Sequence, residues 1–165
     1  MVRNKPLPPI GDLRRALAYD PDTGGLTFIE SRGSKGAGQK AGRVDFHGYV
    51  VFRVFGRMVK AHRIAWAIHY GEDPGALFVD HINGDKTDNR ICNLRLATLE
   101  QNAMNARRQE RNKTGHKGVY WDARRRRYKV SFRQKHVAFT KTLDEAVAIY
   151  RRLALEFGGD FARLD

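Results

Sequence analysis

Apolar positions recur at two periods along this chain. From Leu143 onward, Leu143, Ala146, Val147, Tyr150, Leu153, Ala154 and Phe157 keep the i, i+3, i+4 spacing of one helix face. Thr142 and Glu145 form a capping-box pattern in front of that run, and Gly158-Gly159 closes it. Ala61 to Tyr70 repeats the helical spacing through Ile64, Ala65 and Ile68, and Gly71 with Pro74 stops it. Asp12 to Tyr19 reads as a short helix with Leu13 and Leu17 on one face, followed by a turn over Pro21 to Gly25. Thr98 and Gln101 make a second capping-box pattern, which opens a helix carrying Asn102.

Elsewhere the period shortens to two. Tyr49 to Phe55 and Met58 to Ala61, parted by Gly56-Arg57, predict a hairpin. Val79 to Ile82 and Leu94 to Ala97 read as short strands flanking a loop rich in Asn, Asp and Gly, so that a strand, loop, strand, helix unit emerges. Beyond Lys117 come three further strands, at Gly118 to Asp122, Arg127 to Arg133 and Lys135 to Phe139. In the middle one Tyr128, Val130 and Phe132 share a face, while Lys129, Ser131 and Arg133 share the other, the alternation of a sheet packed on one side. The expected fold class is α+β. Residues 1–46 form an N-terminal helix and flexible region, 47–108 the two-strand and helix core, and 109–165 a basic linker with a small three-stranded antiparallel sheet packed on one helix.

Charge sharpens that division. The 165 residues carry a formal net charge of +13, and 41% of them are hydrophobic, enough for packed cores. Twelve Lys or Arg and two acids lie between Ala103 and His136, so ten of the thirteen net charges sit there, a focused footprint for a polyanion. A single cysteine, Cys92, excludes an internal disulfide and a cysteine zinc cluster, leaving oxygen and nitrogen ligands for any metal. No apolar stretch is long enough for a membrane span, and no apolar core follows Arg3 and Lys5 as in a secretion signal, so the cytoplasm is the expected compartment. Gly33 to Gly38 has the glycine spacing of a phosphate-binding loop. Gln39 stands where that loop needs lysine, however, and the segment reads as a flexible connection.

The richest polar constellation runs from Val79 to Thr98 and into the next helix. Asp80 and His81 are adjacent, so on a strand their side chains point to opposite sides, and a metal ligand and a base can serve different faces of one phosphate. A carboxylate with an amide oxygen, as from Asp80 and Asn102, suits magnesium or manganese. Asn83, Asp85, Asp88 and Asn89 read as turn formers, and Lys86, Arg90 and Arg95 each read as a solvated cation.

The stretch VDHINGDKTDNR, with NLRLAT and the following Glu-Gln-Asn, resembles the HNH endonucleases of bacteriophages and mobile introns, with their ββα-metal core. His62-Arg63-Ile64-Ala65-Trp66 is similar to the segment such proteins carry upstream. The resemblance implies that His81 is the general base, that Asp80 and Asn102 hold one Mg2+ or Mn2+ ion, and that Asn93 orients the histidine or its loop. It implies a homing or nicking endonuclease acting on double-stranded DNA, and since no long apolar helix is left over for a dimer, a monomer is expected. The alternative is a DNA-binding regulator that has lost cleavage, which the intact Asp80, His81, Asn93 and Asn102 set disfavours.

The C-terminal segment resembles the APETALA2-type DNA-binding domain through Gly115-x-x-Gly118-Val119-x-Trp121-Asp122, the basic strand and Asp144-Glu145-Ala146. Val137-Ala138-Phe139 departs from that family's pattern in the third strand. This resemblance implies a sheet laid into the major groove, with Trp121, Arg127, Lys129 and Arg133 at DNA. Arg124, Arg125 and Arg126 add phosphate contacts together with Arg127, and Arg107 and Arg108 lie on a basic connector that tracks the backbone.

Overall fold

A computed structural model describes residues 5–31 and 36–164. Part of the glycine-rich connection, Gly33 to Lys35, and the N-terminal Arg3 lie outside the described residues. The chain divides into two units, residues 1–97 and 98–165.

In the first unit, α1 (Ile10–Ala16) begins after Pro9 and is followed at once by β1 (Leu17–Tyr19), where Leu17 turns extended. The helix expected as far as Tyr19 therefore stops at Ala16. Leu17 fits both the helical spacing from Leu13 and the alternation with Tyr19, and pairing with β2 (Leu26–Phe28), with Leu17 opposite Phe28, decides for strand. The β1–β2 turn over Pro21 to Gly25 is present, held by Asp20 Oδ1 accepting from the Asp22 amide at 2.9 Å.

A second sheet orders β3 (Arg43–Val44), β4 (Val50–Val54) and β5 (Arg57–Lys60). The predicted hairpin is β4–β5. Its two turn residues are Phe55 and Gly56, both at positive φ, one position before the expected pair. Lys60 is still extended when α2 (Ala61–Tyr70) starts, and Gly71 ends that helix in the left-handed region at φ 79°. Ile64 of α2 packs with Leu13, Leu17, Leu26, Phe28 and Phe52 in one core, while Ala65 and Trp66 pack with Val79 and Leu94 in another. That second core anchors β6 (Phe78–His81) and β7 (Leu94–Ala97), an antiparallel pair in which Asp80 faces Arg95 and His81 faces Leu94.

The second unit opens with α3 (Leu99–Asn105), whose N-terminus has the full capping box: Thr98 Oγ1 accepts from the Gln101 amide and Gln101 Oε1 accepts from the Thr98 amide. Then β8 (Val119–Asp122), β9 (Arg127–Phe132) and β10 (Lys135–Thr140) form a meander with β9 central. Its core joins Val119 and Val130 to Ala146, Tyr150 and Ala154 of α4 (Leu143–Gly158), which has the second capping box at Thr142 and Glu145. Gly118 has φ 72°, and a Cβ there would lie 2.2 Å from the Tyr150 ring, so the sheet can close on α4 only with glycine. The helix stripe loses its last member: Phe157 is more than half exposed, its ring tilted at 43° to that of Phe132.

Candidate active site

The β6–β7 loop is folded by its own side chains. Asn93, buried where a 3-10 turn (Ile91–Asn93) meets β7, accepts from the Asn83 amide through Oδ1 at 3.0 Å and donates Nδ2 to the Asp88 carbonyl at 2.8 Å. Asp88 in turn accepts from Asn83 Nδ2 and from Arg90 Nε and Nη2 at 2.9, 2.8 and 2.7 Å. The Arg90 hydrogen bonds, above all, hold the Asp88 carboxyl down at about 2. Asn93 thus ties both ends of the loop together.

The neighbouring β1–β2 turn backs the same loop. Tyr19 Oη donates to the Asn89 carbonyl at 2.7 Å, and the Ile91 amide donates to the Pro21 carbonyl at 3.0 Å. Gly24, at φ 71°, lies so near that an added Cβ would fall 2.5 Å from the Arg90 nitrogen. Asn89 is consequently fixed through its backbone, and its side chain is buried.

That buried amide meets His81. Asn89 Nδ2 donates to the Thr87 carbonyl at 3.3 Å, which turns Oδ1 toward His81 Nε2 at 3.1 Å. An amide oxygen only accepts, so Nε2 carries the proton and the basic lone pair of His81 is placed on Nδ1. Burial pushes the His81 imidazole below its ordinary value of 6.5, against the Asn89 hydrogen bond and the charges of Asp80, Asp85 and Asp88. The ring is therefore neutral at neutral pH.

Around the ring stand His62 and Tyr49. His62, from the first turn of α2, is buried and meets His81 edge to face, with ring centroids 4.9 Å apart and planes at 82°. Its Nδ1 has no hydrogen-bond partner. Burial drives His62 well below 6.5, helped by His81, Lys60 and Arg63, so it too is a neutral wall. Tyr49 closes another side at 6.3 Å from His81.

Asp80 lies on the same strand but turns elsewhere. Its Oδ2 accepts from Arg95 Nε at 3.0 Å across the ladder, and both side chains are largely buried. Arg95 is therefore not the solvated cation expected, because its register position opposite Asp80 draws it in. Arg90, bound to Asp88, is likewise occupied. Asn102, the other residue expected at an ion, lies half-buried in α3 of the second unit. Among the described residues no three His, Cys, Asp or Glu side chains gather as a metal cage. Asp80 offers one hard carboxylate beside the Arg95 guanidinium, a donor type suited to a magnesium-like ion that keeps several waters.

Two positions beside His81 escaped the sequence. Asn89 sat among residues whose ordinary work is turn formation, and only its burial against His81 separates it from them. The one sequence signal for His62 was its place in the HRIAW segment. On the endonuclease reading that the resemblance implies, replacing Asn89 with alanine is expected to lower the DNA cleavage rate about 10- to 100-fold with little change in KM, because the imidazole loses its orientation and tautomer. Single-turnover kinetics on a fixed duplex measures this. A parental rate would remove Asn89 from the site.

His62 sets a pH dependence of stability. In the folded state it stays neutral, whereas in the unfolded chain it takes up a proton below its ordinary 6.5. The unfolded state then binds more protons, so stability present above that value falls as the pH drops. The His62→Phe variant should lose less melting temperature between neutral and acid pH than the parent, measured by circular dichroism. An equal loss in both would contradict the buried neutral state.

In the second unit the expected DNA-facing residues separate into groups. Arg124, Arg125 and Arg126 occupy the exposed β8–β9 turn, and Arg125 Nη1 pairs with Asp122 Oδ2 at 3.1 Å while its guanidinium lies 4.9 Å from the Phe139 ring centre. Arg127 stands opposite Asp122, and Lys129 lies between Tyr120 and Phe139 on the two flanking strands. Both aromatic neighbours are exposed. Trp121 instead stands opposite Tyr128, whose face packs on α4, and contacts its ring at 4.9 Å. Arg133 is in the β9–β10 turn, ion-paired with Glu100. Arg108 donates to the Asn112 carbonyl at 2.7 Å, and Arg107 is exposed beyond α3.

Residues 59–104 match the HNH endonuclease family, so the chain carries an HNH endonuclease domain there. Over 115 residues the chain is 29% identical to Protein 3.8 of Escherichia phage T7, which covers 68% of this chain and 95% of that protein. Over 120 residues it is 33% identical to a protein of Acanthamoeba polyphaga mimivirus named uncharacterized HNH endonuclease L560, covering 70% of this chain and 61% of the mimivirus protein. No solved structure matches the chain. Among the described residues no helix is long and apolar enough to cross a membrane.

Proposed function

We propose that this protein is a divalent-metal-dependent DNA endonuclease that hydrolyses phosphodiester bonds, working as a monomer in the cytoplasm of a bacterial host. The observation that carries this reading is His81: buried, neutral, protonated at Nε2 by its bond to Asn89, and one residue from the Asp80 carboxylate. His81 Nδ1 takes the proton of the attacking water, and Asn89 keeps the ring from turning as charge appears on it. Neutral His62 lines the ring without competing for that proton. Arg95 fixes Asp80, whose carboxylate would be a ligand of a magnesium or manganese ion. Such an ion, when bound, offsets negative charge on the scissile phosphate and the departing 3′ oxygen. Mapping the ends cut on a linear duplex tests this reading: departure of the 3′ oxygen leaves 5′-phosphate termini, whereas 5′-hydroxyl termini would oppose it.

The second unit is proposed to read double-stranded DNA through the outer face of its sheet, in the manner of the APETALA2-type domain. The row of Tyr120, Lys129 and Phe139, flanked by Arg125 and Arg127, supports this with exposed rings among cations. Trp121, half exposed beside Tyr128, and Arg133, paired with Glu100 at the surface, are placed at the DNA as well. Arg107, Arg108, Arg124 and Arg126 follow the phosphates. Lys129→Ala is expected to flatten the dependence of log affinity on log salt by about 0.9, one phosphate contact. An unchanged slope would take Lys129 off the DNA. A regulator that binds without cutting would show the same slope but no cleaved ends.

A further inference from the structure

Two separate elements bring charge to one ring beside His81. Tyr49, just ahead of β4, has the Lys60 ammonium 3.7 Å and the Lys86 ammonium 4.6 Å from its ring centre. Lys60 comes from the end of β5 and Lys86 from the β6–β7 loop, so the arrangement is tertiary rather than a run of surface lysines. Lys86 Nζ is steadied by donating to the His47 carbonyl at 2.9 Å. Among the described residues neither ammonium forms an ion pair with a carboxylate. The same Tyr49 ring lies 5.3 Å from His62 and 6.3 Å from His81.

Two ammonium groups gathered at one aromatic ring repel each other, and the ring's attraction for a cation does not remove that repulsion. Burial and the charge of Lys86 both act against protonation of Lys60, while Asp45 acts for it. An anion contacted by both groups relieves both costs. A phosphate is the anion a DNA-cutting site meets, and one seated here lies beside the His81 ring, not on the Asp80 side of the strand.

We propose that Lys60 and Lys86, gathered on Tyr49, form a seat for one non-scissile phosphate of the DNA backbone, which sets the register of the strand against His81. The proposal rests on the DNA-cleaving reading above for its ligand, but its test is a binding measurement. The Tyr49 ring is a positioning residue, and the lysines are the contacts.

The experiment measures affinity of the full chain for a short mixed-sequence DNA duplex in EDTA across a salt series. Lys60→Met and Lys86→Met should each weaken binding several-fold at low salt, and the double variant, which leaves no cation at the shared phosphate, should flatten the slope of log affinity against log salt by about 0.9. Tyr49→Phe should keep the parental slope and affinity, while Tyr49→Leu should weaken binding several-fold without changing the charge of the protein. An unchanged slope in the double variant would overturn the seat. So would a double variant that loses the sum of two independent contacts. Cleavage of plasmid DNA by the parent in magnesium, measured alongside, separates the two claims: loss of slope without any cleavage keeps the seat and removes the nuclease, and cleavage with unchanged slopes does the reverse.

Discussion

His81→Ala is expected to cut DNA roughly 10²-fold or more slowly than the parent at saturating substrate. The imidazole is the one group placed as a base. Asn89 fixes the proton on Nε2, burial keeps the ring neutral, and His62 and Tyr49 enclose it. Removing it leaves Asp80, its Arg95 partner and the loop tied by Asn93 in place, so affinity for DNA in EDTA should stay within about twofold of the parent while kcat falls. His81→Asn and His81→Gln should be as slow as alanine, because an amide cannot take the proton. Equal cleavage rates for parent and alanine variant in a single-turnover assay would show that another group, or hydroxide, removes it.

Loss of Asp80 is expected to be the second large effect, with two components to be separated. Asp80→Ala leaves the largely buried Arg95 without its carboxylate and is expected to destabilise the first unit by about 3–5 kcal/mol. Asp80→Asn keeps an acceptor for Arg95 Nε and should fold closer to the parent, yet it removes the charge that favours a divalent ion. The Asn variant is therefore the informative one: a melting temperature near the parent, together with roughly 10²-fold slower cleavage and a need for much higher magnesium. Isothermal titration with manganese gives the affinity directly. Parental activity at low magnesium in a folded Asp80→Asn protein would remove Asp80 from the ion.

Much of this arrangement can be read from local signals, and the exceptions have a common cause. α2 and α4 begin and end where the sequence predicts, because Gly71 supplies a left-handed stop and Thr142 with Glu145 a reciprocal cap. The Asp80 and His81 strand was legible from its short apolar flanks and the Asn- and Gly-rich loop behind them. The end of α1 was not, since Leu17 satisfies both periods and only the partner strand, three residues long, selects one. β3 is two residues long and has no period to read. Asn89 and His62 were opaque for a related reason. The first carries the composition of a turn and the second that of an ordinary helix position, and their roles exist only where the loop and α2 converge on His81. Lys86 likewise looks solvated until Tyr49 and Lys60 are brought beside it.

Incubation of the purified full chain with supercoiled plasmid DNA, in magnesium and in EDTA, with His81→Ala in parallel, tests the account most directly. Conversion to nicked or linear plasmid by the parent in magnesium, none in EDTA, and a roughly 10²-fold slower conversion by the variant is the predicted result. Supercoiled plasmid left intact by the folded parent in both magnesium and manganese, or cleavage that continues undiminished in EDTA, would contradict it.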